Sequence, residues 1–152
     1  VPGTGAWCVR GNKLFCFWDV FSPDEVAALS INALELVTMV WAEAVFSAAQ
    51  PKVSHVLAFT DNTSSEWAAR RETPHSLALQ LLVEYRSAFL QRASLYVRSG
   101  RVTSADNRWA DMLSRQRVAE VLAEAVALGL EPVRLHIPAP LRDLSWLLLR
   151  VA

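Results

Sequence analysis

Twenty consecutive residues, Ala27 to Phe46, carry only two charges, Glu35 and Glu43. Just upstream, Ser22-Pro23-Asp24-Glu25 sets a capping Ser, a Pro at the first helical position and a Glu three residues after the cap. That combination satisfies free backbone N–H groups at a helix start. The spacing predicts a helix from about Pro23 to Ala49, with a break near Ser30. Its middle is apolar almost all round, so it needs cover on most sides. The two internal carboxylates argue against a bilayer span and for the buried helix of a globular domain. In a chain of 152 residues, every other element has to be arranged around that helix.

The remaining pattern supplies those elements. Residues 6–10 and 13–18 read as an aromatic-rich antiparallel hairpin about a Gly11-Asn12 turn. A two-residue loop there sets Cys8 opposite Phe15 and Trp7 opposite Cys16. The two cysteines then point to opposite faces and read as free thiols, as in an intracellular compartment. Val53 to Thr60 reads as a buried strand with His55 as a core histidine. Thr63-Ser64-Ser65-Glu66 is a second capping box, opening a short helix to about Arg71, and Thr73-Pro74 opens a longer helix to about Arg92. Leu95 to Arg98 reads as a strand. Ser104 caps a helix carrying Asp106, Asn107 and Asp111, and residues 116–129 continue as helix. Val133 to Ile137 reads as a short strand and Pro140 to Val151 as a terminal helix. The order implies an α/β layered fold in a single domain over 1–152.

Composition removes several function classes. Apolar residues are 53% of the chain, and 15 cations balance 15 anions. A generic basic nucleic-acid coat and a polybasic membrane anchor are excluded, while a local basic groove is not. Thirteen of the cations are Arg, a residue suited to bidentate phosphate contacts. Val1-Pro2-Gly3-Thr4-Gly5 lacks the basic region of a signal peptide, so the expectation is an intracellular protein, in cytoplasm or nucleus, with no membrane partner. Val1 in place of an initiating Met reads as a piece of something longer.

Three carboxylates sit where a charge is expensive or well placed. Glu35 is mid-helix among apolar neighbours and pays desolvation unless a cation or donor meets it. Asp61 follows a strand end, where open α/β sheets line their ligand crevices. Asp111 lies one helical turn after Asn107, on the same face. A hard divalent cation takes oxygen ligands, so a few converging carboxylates suffice, and two such ions can activate water against a phosphodiester. Each acid also has a plain reading: Glu35 as a satisfied buried pair, Asp61 as a turn or cap residue, Asp111 as a solvated helix charge.

The segments Ile31-Asn32-Ala33-Leu34-Glu35-Leu36, Thr60-Asp61-Asn62 and Asn107-Arg108-Trp109-Ala110-Asp111-Met112-Leu113-Ser114-Arg115 occur in that order. Together they resemble the ribonuclease H domain that follows the polymerase in reverse transcriptases of retroelements, especially the DIRS-like tyrosine-recombinase group. The resemblance spans roughly residues 3 to 115, leaving 116–152 as a C-terminal helical extension. It implies a ribonuclease H-like fold, a mixed five-stranded sheet with flanking helices. It also implies Mg²⁺ or Mn²⁺ held by Glu35, Asp61 and Asp111 as catalytic acids, and hydrolysis of the RNA strand of an RNA–DNA hybrid. Asn62, Arg101 and Asn107 are the weaker candidates for contacting substrate, and the polymerase region of a larger polyprotein is the implied partner.

Two departures accompany the match. The family's first acid lies on a first strand in a "TDAS" segment followed by x-x-G-x-G-A. Gly3-Thr4-Gly5-Ala6 matches the end of that segment, which sets the expected Asp about three residues before Val1. Asp19 and Asp24 are poor substitutes. Many relatives carry H-I-P-G before the last motif, where this chain reads Arg101-Val102-Thr103-Ser104. The departures keep a second reading open, a catalytically inactive module that binds nucleic acid or positions a polymerase. A third is an integrase- or resolvase-like nuclease cutting DNA. Arg70, Arg71, Arg98, Arg101, Arg108 and Arg115 read equally as a phosphate-tracking groove or an ordinary charged surface. The six Trp residues default to packing, with base stacking considered only for Trp67 and Trp109.

Overall fold

The computed structural model describes residues 2–50, 53–60, 77–101 and 107–151. Strands β1 (Gly3–Arg10) and β2 (Lys13–Val20) form the expected hairpin, with Trp7 opposite Cys16 and Cys8 opposite Phe15. Gly11 alone takes the left-handed φ, +62°, at the first turn position, as a type II′ turn requires. Cys8 and Cys16 are free. Burial pushes the Cys8 thiol up to about 11, with the neighbouring Cys16 adding to the shift, and burial likewise raises Cys16. Both therefore stay protonated thiols at neutral pH.

The long helical stretch is broken where Ser30 was expected to break it. Helix α1 spans Pro23–Ala28, and Ser22 and Glu25 complete the capping box in both directions. Leu29 and Ser30 are extended, and the Ser30 hydroxyl accepts from the Ala33 N–H to start helix α2, Ile31–Ala49. Nine of its nineteen residues are buried. It is long and apolar enough by composition to cross a membrane, yet here it is the central helix of the core. Glu43, buried within it, is held by a bidentate pair with Arg86.

Strand β3 (His55–Thr60) pairs in parallel with β4 (Tyr96–Arg101), joined through helix α3 (Leu77–Ala93). Then follow helices α4 (Arg108–Ser114) and α5 (Val118–Ala127), strand β5 (Glu131–Arg134) and helices α6 (Ala139–Arg142) and α7 (Ser145–Val151). The last segment differs from the single expected helix. Asp143 Oδ1 accepts from the Ser145 N–H at 2.9 Å and restarts the backbone as a new turn. Residues 116–152 are likewise more than a helical extension, because β5 joins the sheet in parallel beside β2.

The structure is mixed α/β, but among the described residues five strands form two sheets rather than one: β1-β2-β5 and β3-β4. The hairpin sheet has two covered faces. On one, Phe17 and Ala6 meet α2 in the larger core, with Leu36, Val37 and Trp41. On the other, Leu14, Cys16, Trp7 and Trp18 pack with Met112 and Leu113 of α4 and Val121 and Ala125 of α5. The β3–β4 sheet is less covered than expected. Leu57 and Phe59 are 61% and 54% exposed, and His55 is exposed and stacked on Tyr96 at 5.4 Å rather than lying in the core. Alternate residues of β3 face solvent because no described element packs on that side.

Trp packing follows the default among the described residues. Trp41 is 1% exposed and donates to the Leu141 carbonyl, and Trp146 stacks on Tyr85. Trp109 meets Trp7 edge-on at 5.0 Å and donates to Glu124. Trp67 lies outside the described residues.

Candidate functional site

A cleft of about 1150 Å³ runs between the two sheets. Its walls are the whole of β1 on one side and Val53 with residues 55–59 on the other, with α2 and α4 bounding it. Two glycines make the approach of α4 possible. A Cβ on Gly3 would stand 2.0 Å from the Ser114 carbonyl oxygen, and one on Gly5 would stand 2.4 Å from Leu113 Cβ. With hydrogen only at both positions, α4 lies directly on the β1 backbone. Leu113, fully buried, anchors it from the core side.

That contact aims one face of α4 into the cleft. Asn107, Ala110, Asp111 and Ser114 all line it, as the i, i+3, i+4, i+7 spacing requires. The backbone N–H of Asp111 donates to the Asn107 carbonyl at 3.1 Å, so the expected shared face is formed. Asn107 stands at the N-cap without using its side chain as the cap. Asp111 is exposed and accepts from Arg115 Nε at 3.1 Å.

Glu35 reaches the same cleft from the opposite face of the sheet, on the first half of α2. It is half-buried, and Ile31, Leu34, Thr38 and Met39 line the wall beside it. Thr4 of β1 is buried and bonded to the Thr38 hydroxyl, which itself donates to the Leu34 carbonyl at 3.1 Å. This contact fixes α2 against the start of β1, next to where Gly3 meets α4. Thus two of the three expected acids line one cleft, brought from α2 and α4 to the same strand.

Asp61 and Asn62 lie outside the described residues; β3 ends at Thr60. Arg101 ends β4, and only its backbone is described. Among the described residues no three His, Cys, Asp or Glu side chains form a metal-holding group, a set from which Asp61 is missing.

Of the six arginines that read equally as a groove or an ordinary charged surface, two are held in ion pairs among the described residues. Arg108 is forked onto Glu124, with Nη1 at 2.6 Å, and Arg115 is on Asp111. Arg98 is exposed, and Arg70 and Arg71 lie outside the described residues. Arg142, which no sequence pattern singles out, ties three elements together. It bonds Glu25, Asp19 and the Val20 carbonyl, and its guanidinium lies 4.9 Å from the Trp41 ring centre. Asp19 is therefore a structural partner of Arg142.

The carboxylate oxygens of Glu35 and Asp111 suit a hard cation such as Mg²⁺ rather than a soft one. The Asp111–Arg115 pair is exposed on both sides and contributes little to stability. Comparison with known proteins finds no matching family model, no matching curated protein and no matching solved structure.

Proposed function

We propose that this chain is a ribonuclease H-like, metal-dependent endonuclease domain that hydrolyses the RNA strand of RNA–DNA hybrids in a retroelement reverse transcriptase. The observation that supports it is the entry of Glu35 and Asp111 into one cleft from helices on opposite faces of β1. In this reading Glu35, Asp61 and Asp111 hold Mg²⁺ or Mn²⁺, with a further Asp supplied from before Val1. A bound divalent ion contributes an activated water and charge stabilisation at the scissile phosphate. The chain's own part is to hold hard oxygen donors at fixed positions: Thr4 and Thr38 lock α2, and Gly3 and Gly5 seat α4. In this reading Asn107, on the cleft face one turn before Asp111, donates to a nucleotide, with Asn62 and Arg101 as the further contacts.

The test is cleavage of a labelled RNA–DNA hybrid in Mg²⁺ by the 152-residue chain and by the same chain carrying the residues encoded before Val1. The longer form is expected to cut the hybrid and not duplex DNA. Glu35→Gln, Asp61→Asn and Asp111→Asn are each expected to lower the rate at least a hundredfold, about 2.7 kcal/mol of lost transition-state stabilisation. Equal cleavage by the three variants would remove the metal-site reading. A second reading, an inactive module that binds nucleic acid or positions a polymerase, is favoured by the Arg115 guanidinium resting on Asp111. It predicts hybrid binding without cleavage in both forms. Preferential cutting of duplex DNA would point instead to an integrase- or resolvase-like activity.

A further inference from the structure

The open face of β3 and β4 carries aromatic rings at both ends and a cation between them. The parallel register sets His55 beside Tyr96, Leu57 beside Arg98 and Phe59 beside Gly100. Side chains two apart on a strand share a face, so these six residues form one surface. Burial agrees with that division. Tyr96 is 70% exposed, and His55, Leu57, Phe59 and Arg98 are exposed, whereas the intervening Val56, Ala58 and Val97 are half-buried.

At one end His55 and Tyr96 stack at 5.4 Å with 22° between their planes. At the other end Phe59 lies across Gly100, where a Cβ would stand 2.8 Å from its Cε1 and 2.9 Å from its Cδ1. The absence of a side chain at Gly100 lets the ring reach over the neighbouring strand while staying open to solvent. The two aromatic stations are four residues apart, about 13 Å along the strands.

Arg98 stands between them. Neither strand contains Asp or Glu, and among the described residues Arg98 is in no ion pair. An apolar partner laid over this face would bury an unpaired guanidinium at the centre of the contact, which is costly. A phosphate placed between two bases pairs with it instead. Base faces are open to side chains only in an unpaired strand, and aromatic rings with a nearby cation hold such strands with little regard to sequence. A spacing of about 13 Å is nearly four duplex steps of 3.4 Å, so bases on both stations require an extended strand.

We infer that this face is a stacking platform for a single nucleic-acid strand, DNA or RNA. One base stacks on Tyr96, which His55 backs, another stacks on Phe59, and the phosphate backbone between them meets Arg98. His55, Leu57 and Phe59 also border the cleft, and Tyr96, Arg98 and Gly100 do not, so the platform begins at the cleft rim and extends away from it. The inference stands on the sheet face and not on the nuclease reading, and either can fail alone.

The test measures the fluorescence anisotropy of labelled oligothymidine and oligouridine of about ten nucleotides, a length within the usual site size of single-strand platforms. EDTA is present throughout, so no metal-dependent cleavage enters. Tyr96→Leu and Phe59→Leu keep an apolar side chain at an exposed position and remove the ring. Each is expected to weaken binding of both probes at least fivefold, with the affinity for an RNA–DNA hybrid unchanged. Arg98→Gln is expected to weaken binding and to reduce the slope of log affinity against log salt by about 0.7, the value for one phosphate of a single strand. Leu149→Ala, at an exposed position on α7, is expected to change nothing. Photo-crosslinking of a thiouridine-bearing probe to the unaltered chain is expected to label β3 or β4, which needs no variant to fold. Absence of probe binding, binding unchanged in both ring variants, or crosslinks wholly outside β3 and β4 overturns the inference. An equal loss of hybrid affinity in the ring variants overturns the single-strand assignment. A doubled mass of the chain alone that both ring variants abolish overturns it in favour of a second copy as occupant.

Discussion

Glu43 is 2% exposed on its side chain, in the middle of an apolar helix, and Arg86 from α3 meets it with two donors at 2.7 and 2.8 Å. A buried ion pair of this kind adds little net stability, yet losing one partner strands the other charge. Arg86→Ala is expected to lower unfolding stability by about 3–5 kcal/mol, while Glu43→Leu combined with Arg86→Met stays within about 1–2 kcal/mol of the parent. Urea denaturation of the three proteins checks both. Glu25 gives a pH-dependent counterpart. Burial pushes its carboxyl up, but hydrogen bonds from Arg142 and the Ser22 N–H outweigh that and hold it below the usual Glu range. A depressed folded-state pKa contributes stability that is full above the unfolded value, near 4.3, and is lost as pH falls through the folded value. Acid unfolding should therefore shift less steeply below pH 4.3 in Glu25→Gln, whose stability at neutral pH is lower by about 1–2 kcal/mol. Neither Arg142 nor Arg86 stands out among thirteen arginines, because the partner that gives each its role is far away in the chain. Glu35 and Asp111 stand out in the sequence, and Glu43 only as a charge inside an apolar run; all three border the cleft, and it took packing to show that Glu43 is held there by Arg86.

At the level of elements, the local signals carried the caps and turns. The Ser22 and Ser30 caps, the Gly11 turn and the hairpin register all follow from residues within four positions of each other. Strand burial did not follow, since an apolar run reads the same whether its faces are covered or open. That is how His55 and Leu57 were expected inside and are found at the surface. The contact of α4 with β1 is the element-level feature on which the cleft depends. Gly5→Ala inserts a methyl where Leu113 Cβ would stand 2.4 Å away. It is expected to displace α4, destabilise by about 1–3 kcal/mol and reduce hybrid cleavage more than an equal destabilisation made elsewhere. Leu147→Ala, in the larger core, supplies that comparison, and thermal unfolding with cleavage rates at a temperature where both variants are folded checks it.

For the whole molecule, the hairpin sheet divides the interior into two cores, and the cleft opens at the sheet's uncovered edge. A divalent ion bound to the folded protein alone stabilises it by mass action. Mn²⁺ at a hundredfold excess over its dissociation constant should raise unfolding stability by about 2.7 kcal/mol, and Asp111→Asn should remove most of that gain. A thermal shift without Mn²⁺ dependence would count against the site. By itself the sequence determined the starts of α1 and α2, the hairpin, the free thiols and the mixed α/β class, because these depend on short-range sterics, hydrogen bonding and hydrophobic period. Tertiary structure alone decided that the five strands among the described residues form two sheets, that β5 returns to lie beside β2, and that Glu35 and Asp111 share a cleft. Those outcomes depend on which surfaces meet far along the chain, 41 positions apart for His55 and Tyr96 and 76 for Glu35 and Asp111, and no local pattern encodes a contact at such separations.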